Sequence, residues 1–168
     1  ERTRTYAKLI EAMNRVANAV LGLGLRSGQN VALIAPNTLE YIEIVAGVSD
    51  TGAAVATPNP KLTGRELADI CNDAQVRIVF VHPECDAALD RSQLLTAQHV
   101  VVLGAPYDAL LAKASPDFVP PWVPEWATFS IPYTSGTTGR PKGVMLPHRP
   151  PSLVYLCYAA EYGIYSPD

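Results

Sequence analysis

Short apolar runs separated by stretches of helical periodicity constrain this chain more than any other feature. Val31-Ala32-Leu33-Ile34-Ala35, Ala53 to Thr57, Arg77 to Val81 and Val100 to Leu103 are each the length of a strand and carry few polar residues. An apolar run without alternation is what a strand buried on both faces looks like. Between the runs lie segments whose apolar residues recur every three or four positions, as on one side of a helix. Strand and helix alternating at this spacing predict an α/β fold, with a mostly parallel sheet and helices on both faces.

The helical segments carry their own punctuation. Tyr6 to Leu21 places Leu9, Met13, Val16 and Val20 on one side, and Gly22 and Gly24 end it. Gly22, Gly24 and Gly28 follow a helix rather than a strand, at the wrong spacing for a dinucleotide fingerprint. Asn37 with Glu40 forms a capping-box pattern before a helix reaching about Val48, and Thr63 with Glu66 forms another before Leu67 and Ile70. A further helix is expected from about Asp86 to Leu95.

Residues 104–127 change character: Pro106, Pro116, Pro120, Pro121 and Pro124 crowd a segment that also holds Trp122 and Trp126. It reads as a surface connection with a short helix around Asp108–Lys113, its tryptophans expected to pin it to the core rather than to form a ligand platform. The chain thus divides into an α/β part over 1–103, a Pro-rich connection over 104–127, and a strand, loop and following segment over 128–168.

Composition excludes several classes of function. With 17% charged residues and a formal net charge of −3, the chain has no electrostatic basis for binding nucleic acid or an anionic membrane. No apolar run approaches the ~18 residues of a membrane span, and Glu1-Arg2-Thr3-Arg4 does not read as a signal peptide. Cys71, Cys85 and Cys157 are scattered, and His82, His99 and His148 share no ligand spacing. Neither a disulfide framework nor a metal site is expected, and reduced thiols suit a cytoplasmic protein.

The chemistry is concentrated in Tyr133-Thr134-Ser135-Gly136-Thr137-Thr138-Gly139-Arg140-Pro141-Lys142-Gly143, which follows a strand-like segment from Thr128. Gly136, Gly139 and Gly143 allow a backbone to turn tightly and approach a ligand. Clustered amide N–H groups form an anion-binding nest. Thr134, Ser135, Thr137 and Thr138 add neutral donors, and Lys142 adds a positive point charge. Together they suit a polyphosphate. A Walker loop would need glycine where Pro141 stands and a hydroxyl where Gly143 stands. The apolar Val144-Met145-Leu146 that follows suits a strand better than the helix a Walker loop opens.

From Tyr133 to Val144 the sequence resembles the phosphate-loop signature of the adenylate-forming superfamily, which includes acyl-CoA synthetases and 4-coumarate–CoA ligases. Luciferases and the adenylation domains of peptide synthetases share it. Leu146-Pro147-His148-Arg149 continues the likeness. Pro150-Pro151 departs from it, and the following helix is expected to begin near Ser152. Weaker likeness runs through Tyr6-Ala7-Lys8-Leu9 and Gly52 to Thr63, where Asn59-Pro60 is closer to the CoA ligases.

The resemblance implies part of the large N-terminal domain of such an enzyme. It implies ATP and coenzyme A as co-substrates, a small-molecule carboxylic acid as partner, and Mg2+ travelling with ATP. Thr134, Ser135, Gly136, Thr137, Thr138, Gly139, Lys142 and Gly143 become the expected phosphate-binding residues. The family's catalytic lysine belongs to a C-terminal domain, so no catalytic residue and no metal ligand is assigned. His148 and Arg149 are left outside the site, Arg149 as either a substrate-steering group or a structural ion pair. The likeness covers roughly the first third of a typical member. The ends read as cut, and this chain alone is expected to have little or no ligase activity. The opposing reading is a phosphate-binding or interaction module that does no chemistry.

Overall fold

The computed structural model describes residues 2–134 and 141–163. Helix α1 (Tyr6–Gly22) is followed by β1 (Asn30–Ile34), α2 (Leu39–Ser49), β2 (Ala54–Thr57), α3 (Gly64–Asp73) and β3 (Val76–Val81). Next come the single turn α4 (Pro83–Asp86), β4 (His99–Val102), α5 (Ala105–Ala112), β5 (Thr128–Thr134), β6 (Lys142–Gly143), β7 (Leu146–Pro147) and α6 (Arg149–Tyr162).

The sheet order is β4-β3-β1-β2-β5, all parallel, with β6 and β7 both returning antiparallel along β5. Handedness explains where the helices lie. A crossover between parallel strands is right-handed, so the direction of each step along the sheet chooses the face its helix covers. From β1 to β2 the chain steps one way, and α2 packs with α1 and α5 around Val31, Leu33, Val55 and Phe80. From β2 to β3 it steps back, and α3 covers Ala32, Ile34, Ala56 and Val79 on the other face. The expected α/β architecture is therefore present.

Alternation within strands supplies both cores. Val31 and Leu33 face one layer, Ala32 and Ile34 the other, and all four are fully buried. In β3 the parity slips: Val76 and Val79 share a face although they are three apart. A register shift opposite Asn30 and Val31 makes Arg77 the extra residue, as in a bulge. Phe80 meets Tyr107 edge-on, with ring centroids 6.2 Å apart.

Several local expectations are corrected. The cap of α2 is Thr38, not Asn37, and it makes no side-chain cap hydrogen bond. Glu40 turns instead to Arg2 at 2.6 Å. The Thr63–Glu66 capping box is present in full. The helix expected over Asp86–Leu95 is a single turn at Pro83–Asp86 and a 3-10 turn at Arg91–Gln93. The Asp90 carboxylate accepts from the Ser92 amide at 3.0 Å, and such local bonding competes with a helix. The strand expected over Val144–Leu146 is replaced by two short pairings, Lys142–Gly143 and Leu146–Pro147, with Val144 and Met145 between them. Helix α6 begins at Arg149, with prolines in its first turn where no amide is needed.

The tryptophans do not pin the Pro-rich connection: Trp122 is 87% and Trp126 66% exposed. Its first part is held by the polar side of α1. Asn14 donates to the Pro116 carbonyl at 2.8 Å, Arg15 to Ala114 at 2.7 Å, and Asn18 to both Ser115 and Asp117 at 2.9 Å. A second polar cluster joins the N-terminal segment to the core. Glu43, 0% exposed, pairs with Arg4 at 2.9 Å and accepts from the buried Tyr107 hydroxyl at 3.1 Å. A buried charge is tolerated only with such partners.

Gly47 sets how closely α1 and α2 approach. A Cβ there would lie 2.4 Å from the Met13 carbonyl oxygen and 2.8 Å from the Val16 Cβ. Alanine is the better helix former by about 1 kcal/mol, but a backbone carbonyl cannot swing aside. Gly47→Ala is expected to lower stability by roughly 1–2 kcal/mol net. Denaturant unfolding checks this, and an unchanged midpoint would show that the two helices separate freely.

Candidate functional site

The stem of the Gly/Thr stretch stands at the carboxyl end of β5, where open α/β sheets bind their ligands. Thr134 is the last residue of β5 and is exposed. It pairs with Lys142, and Tyr133 pairs with Gly143, so the chain leaves and re-enters the sheet at neighbouring positions. The Val144 amide donates to the Pro132 carbonyl at 3.0 Å and closes the base of the stem. Ser135, Gly136, Thr137, Thr138 and Gly139 lie outside the described residues. Of the expected phosphate-binding set, the structure therefore brings Thr134, Lys142 and Gly143 together at one edge. Lys142 is exposed there.

Gly143 is required by packing. A Cβ on it would sit 2.8 Å from Ile131 Cγ2 and 2.9 Å from Tyr133 Cζ. The Tyr133 phenol donates to Asp73 Oδ2 at 2.6 Å. Burial and that carboxylate both push the phenol above its ordinary range, so it remains a donor. Beside the stem, Arg65, Glu66, Asp69, Asp73, Tyr133 and Pro141 line a cleft of about 310 Å3. Sequence reading missed Asp73: it lies on a helix 60 residues from Tyr133, and nothing local marks the pair. Among the described residues no group of three or more His, Cys, Asp or Glu side chains could hold a metal ion, so no ligand set for Mg2+ is assigned.

A larger cavity of about 430 Å3 lies between α2, the start of β5 and α6. Tyr41, Val45, Phe129 and Tyr155 give it apolar walls, with Asp50 and His148 as polar groups. His148 packs on Phe129, with ring centroids 5.7 Å apart. Its Nε2 is buried without a hydrogen-bond partner among the described residues. Arg149 is a structural residue: it pairs with Glu125 and lies over the Trp126 ring, 5.2 Å from the centroid.

Burial lowers the His148 pKa, outweighing the opposite pull of Asp50. The folded state thus binds this proton more weakly than the unfolded chain, where the ordinary value is 6.5. The group's contribution is fully present above that value and is lost as pH falls through it toward the folded value. Burial raises the Asp50 pKa, so that group acts with the opposite sign, from its ordinary 3.8 upward. Thermal unfolding is therefore expected at lower temperature near pH ~5.5 than near pH ~7.5, with a shallower dependence in His148→Asn. Identical slopes in the two proteins would remove His148 from the pH response.

The family model described as AMP-binding enzyme matches residues 1–167. The chain is 33% identical over 153 residues to a fatty acid–[acyl-carrier-protein] ligase of Streptomyces coeruleorubidus, covering 88% of this chain and 29% of that protein. It is 34% identical over 151 residues to a long-chain-fatty-acid–CoA ligase of Thermus thermophilus, covering 86% and 28%. Among solved structures, an anthranilate CoA ligase in complex with anthranoyl-AMP superposes with a TM-score of 0.88 at 27% identity, over 97% of this chain and 32% of that one. The chain spans just under a third of the length of these relatives.

Proposed function

The chain belongs to the AMP-binding enzyme family, and on that premise we propose that it supplies the nucleotide-phosphate portion of an ATP-dependent acid–thiol ligase. The observation that carries this reading is the unbroken Tyr133–Val144 signature, whose two stems leave the carboxyl end of a parallel strand side by side. The likeness to ATP-bound MatB from Rhodopseudomonas palustris, with a TM-score of 0.82 at 30% identity, supports ATP as the nucleotide.

A carboxylate is a poor acyl donor because it is anionic and resonance-stabilised. In the proposed reaction its oxygen attacks the α-phosphorus of ATP, the bond to the β-phosphate breaks, and pyrophosphate leaves. The thiol of coenzyme A then attacks the acyl carbon and AMP leaves. Lys142 offsets the charge on the β- and γ-phosphates, and Thr134 donates a hydroxyl at the mouth of the stem. Ser135, Gly136, Thr137, Thr138 and Gly139 complete the cradle on the strength of their sequence. Positioning and electrostatic stabilisation of this kind supply most of the rate enhancement in phosphoryl chemistry. Mg2+ would accompany the nucleotide and offset phosphate charge, and no described residue is assigned as its ligand.

Relatives named for fatty acids support a place in fatty acid metabolism, and three free cysteines suit the cytoplasm. No helix of the described residues is long and apolar enough to cross a membrane.

Lys142→Ala is expected to weaken ATP binding by about 1–2 kcal/mol, roughly 5–30-fold, without changing the fold. Titration calorimetry checks the affinity and thermal unfolding the fold; equal affinities would remove Lys142 from the site. Acid-dependent exchange of labelled pyrophosphate into ATP, run on the full-length protein with a panel of carboxylic acids, tests the chemistry. Exchange with one class of acid names the substrate, and exchange with none overturns the ligase reading.

A further inference from the structure

We propose that Asp73 is a positioning residue for the phosphate-binding stem, acting through the hydroxyl of Tyr133. This rests on the reading of that stem as the nucleotide-phosphate site, while the geometry that supports it is independent of any ligand.

One half of the stem is β5, paired to β2, and the returning half rejoins β5 through β7, but the tip that carries Lys142 has few bonds of its own. Its pairings are Tyr133 with Gly143 and Thr134 with Lys142, closed by the single Val144–Pro132 bond. A two-stranded antiparallel ribbon this short is marginal by itself. The Tyr133 ring lies against the Gly143 backbone, so closely that a Cβ would sit 2.9 Å from its Cζ. Gly143 is the residue after Lys142. Whatever fixes the ring therefore fixes the point at which Lys142 leaves the sheet.

The ring body packs against the core layer that α3 covers, and Asp73 fixes its hydroxyl end. The phenol donates to its carboxylate at 2.6 Å, a charge-assisted bond of the short, strong kind. Asp73 is the last residue of α3, a helix anchored by the buried Leu67, Ala68, Ile70 and Cys71 and closed at its start by the Thr63–Glu66 box. The helix cannot follow the stem, so the stem must follow the helix. Asp69, also on α3, lines the same cleft and is exposed, and no hydrogen bond ties it to Tyr133.

The test uses Asp73→Ala, Tyr133→Phe, their double variant, Asp73→Asn and the control Asp69→Ala. Exchange of the Val144 amide is compared with that of the Phe80 amide in β3, and ATP binding is measured by titration. Asp73→Ala and Tyr133→Phe are each expected to speed Val144 exchange on the order of tenfold and to weaken ATP binding by a similar factor, leaving Phe80 unchanged. The double variant is expected to match the singles, because both remove one bond. Asp73→Asn keeps an acceptor and falls between, and Asp69→Ala behaves as the parent protein.

Unchanged Val144 exchange in Asp73→Ala overturns the proposal, as does equal acceleration at Val144 and Phe80, which would be global loosening. Faster Val144 exchange with ATP affinity within about twofold of the parent also overturns it. A parent protein that binds no ATP defeats the nucleotide reading instead, and the exchange rates still decide whether Asp73 holds the stem.

Discussion

Strand β1 is hydrogen-bonded on both edges and buried on both faces, and the rest of the structure answers to that condition. A strand so placed leaves no polar backbone in water and no side chain at the surface. Val31, Ala32, Leu33 and Ile34 need two separate apolar layers above and below them. The layers cannot be laid by a chain that travels one way along the sheet. The reversal between β2 and β3, combined with the fixed hand of the crossover, puts α2 on one face and α3 on the other. It also leaves the far side of β2 free for β5, and so places the Tyr133–Gly143 stem at one edge of the sheet.

Polar groups set the path where apolar burial does not. Glu43 sits in the core layer with no exposure, and its pairing with Arg4 and Tyr107 draws the N-terminal segment and α5 to the same point on α2. Burial raises the Glu43 pKa against the lowering effects of Arg4 and the Tyr107 hydrogen bond. Asn14, Arg15 and Asn18 on α1 then fasten the segment that leaves α5 through main-chain carbonyls. Hydrogen bonding to backbone tolerates any side chain in the partner segment. That is why the connection holds its course although its tryptophans face solvent.

The candidate site has the same division of labour. Glycine at 143 lets an aromatic ring and a β-branched side chain close over the stem, and a carboxylate on a well-anchored helix holds that ring by its hydroxyl. Lys142 itself needs no close packing. In the proposed phosphate-binding role its value lies in an exposed charge at a fixed point.

The sequence by itself determined the strands of the parallel sheet, the Thr63 cap and the place of the Gly/Thr signature. These follow from periodicity and from bonds within one turn, which a linear pattern records. It also held the family resemblance, because Tyr133 to Val144 is one contiguous stretch. It misled at the start of α2, where the cap is Thr38 rather than Asn37, so that Glu40 is not at the third helical position a capping box needs and pairs with Arg2. Over residues 86–95 the Asp90 side chain outcompeted the helix. Only the tertiary structure decided the strand order, the bulge at Arg77, the closeness of α1 and α2 at Gly47, and the bond between Asp73 and Tyr133. Each depends on residues far apart in the chain meeting within a few ångströms, and the energy of that meeting is written at neither position alone.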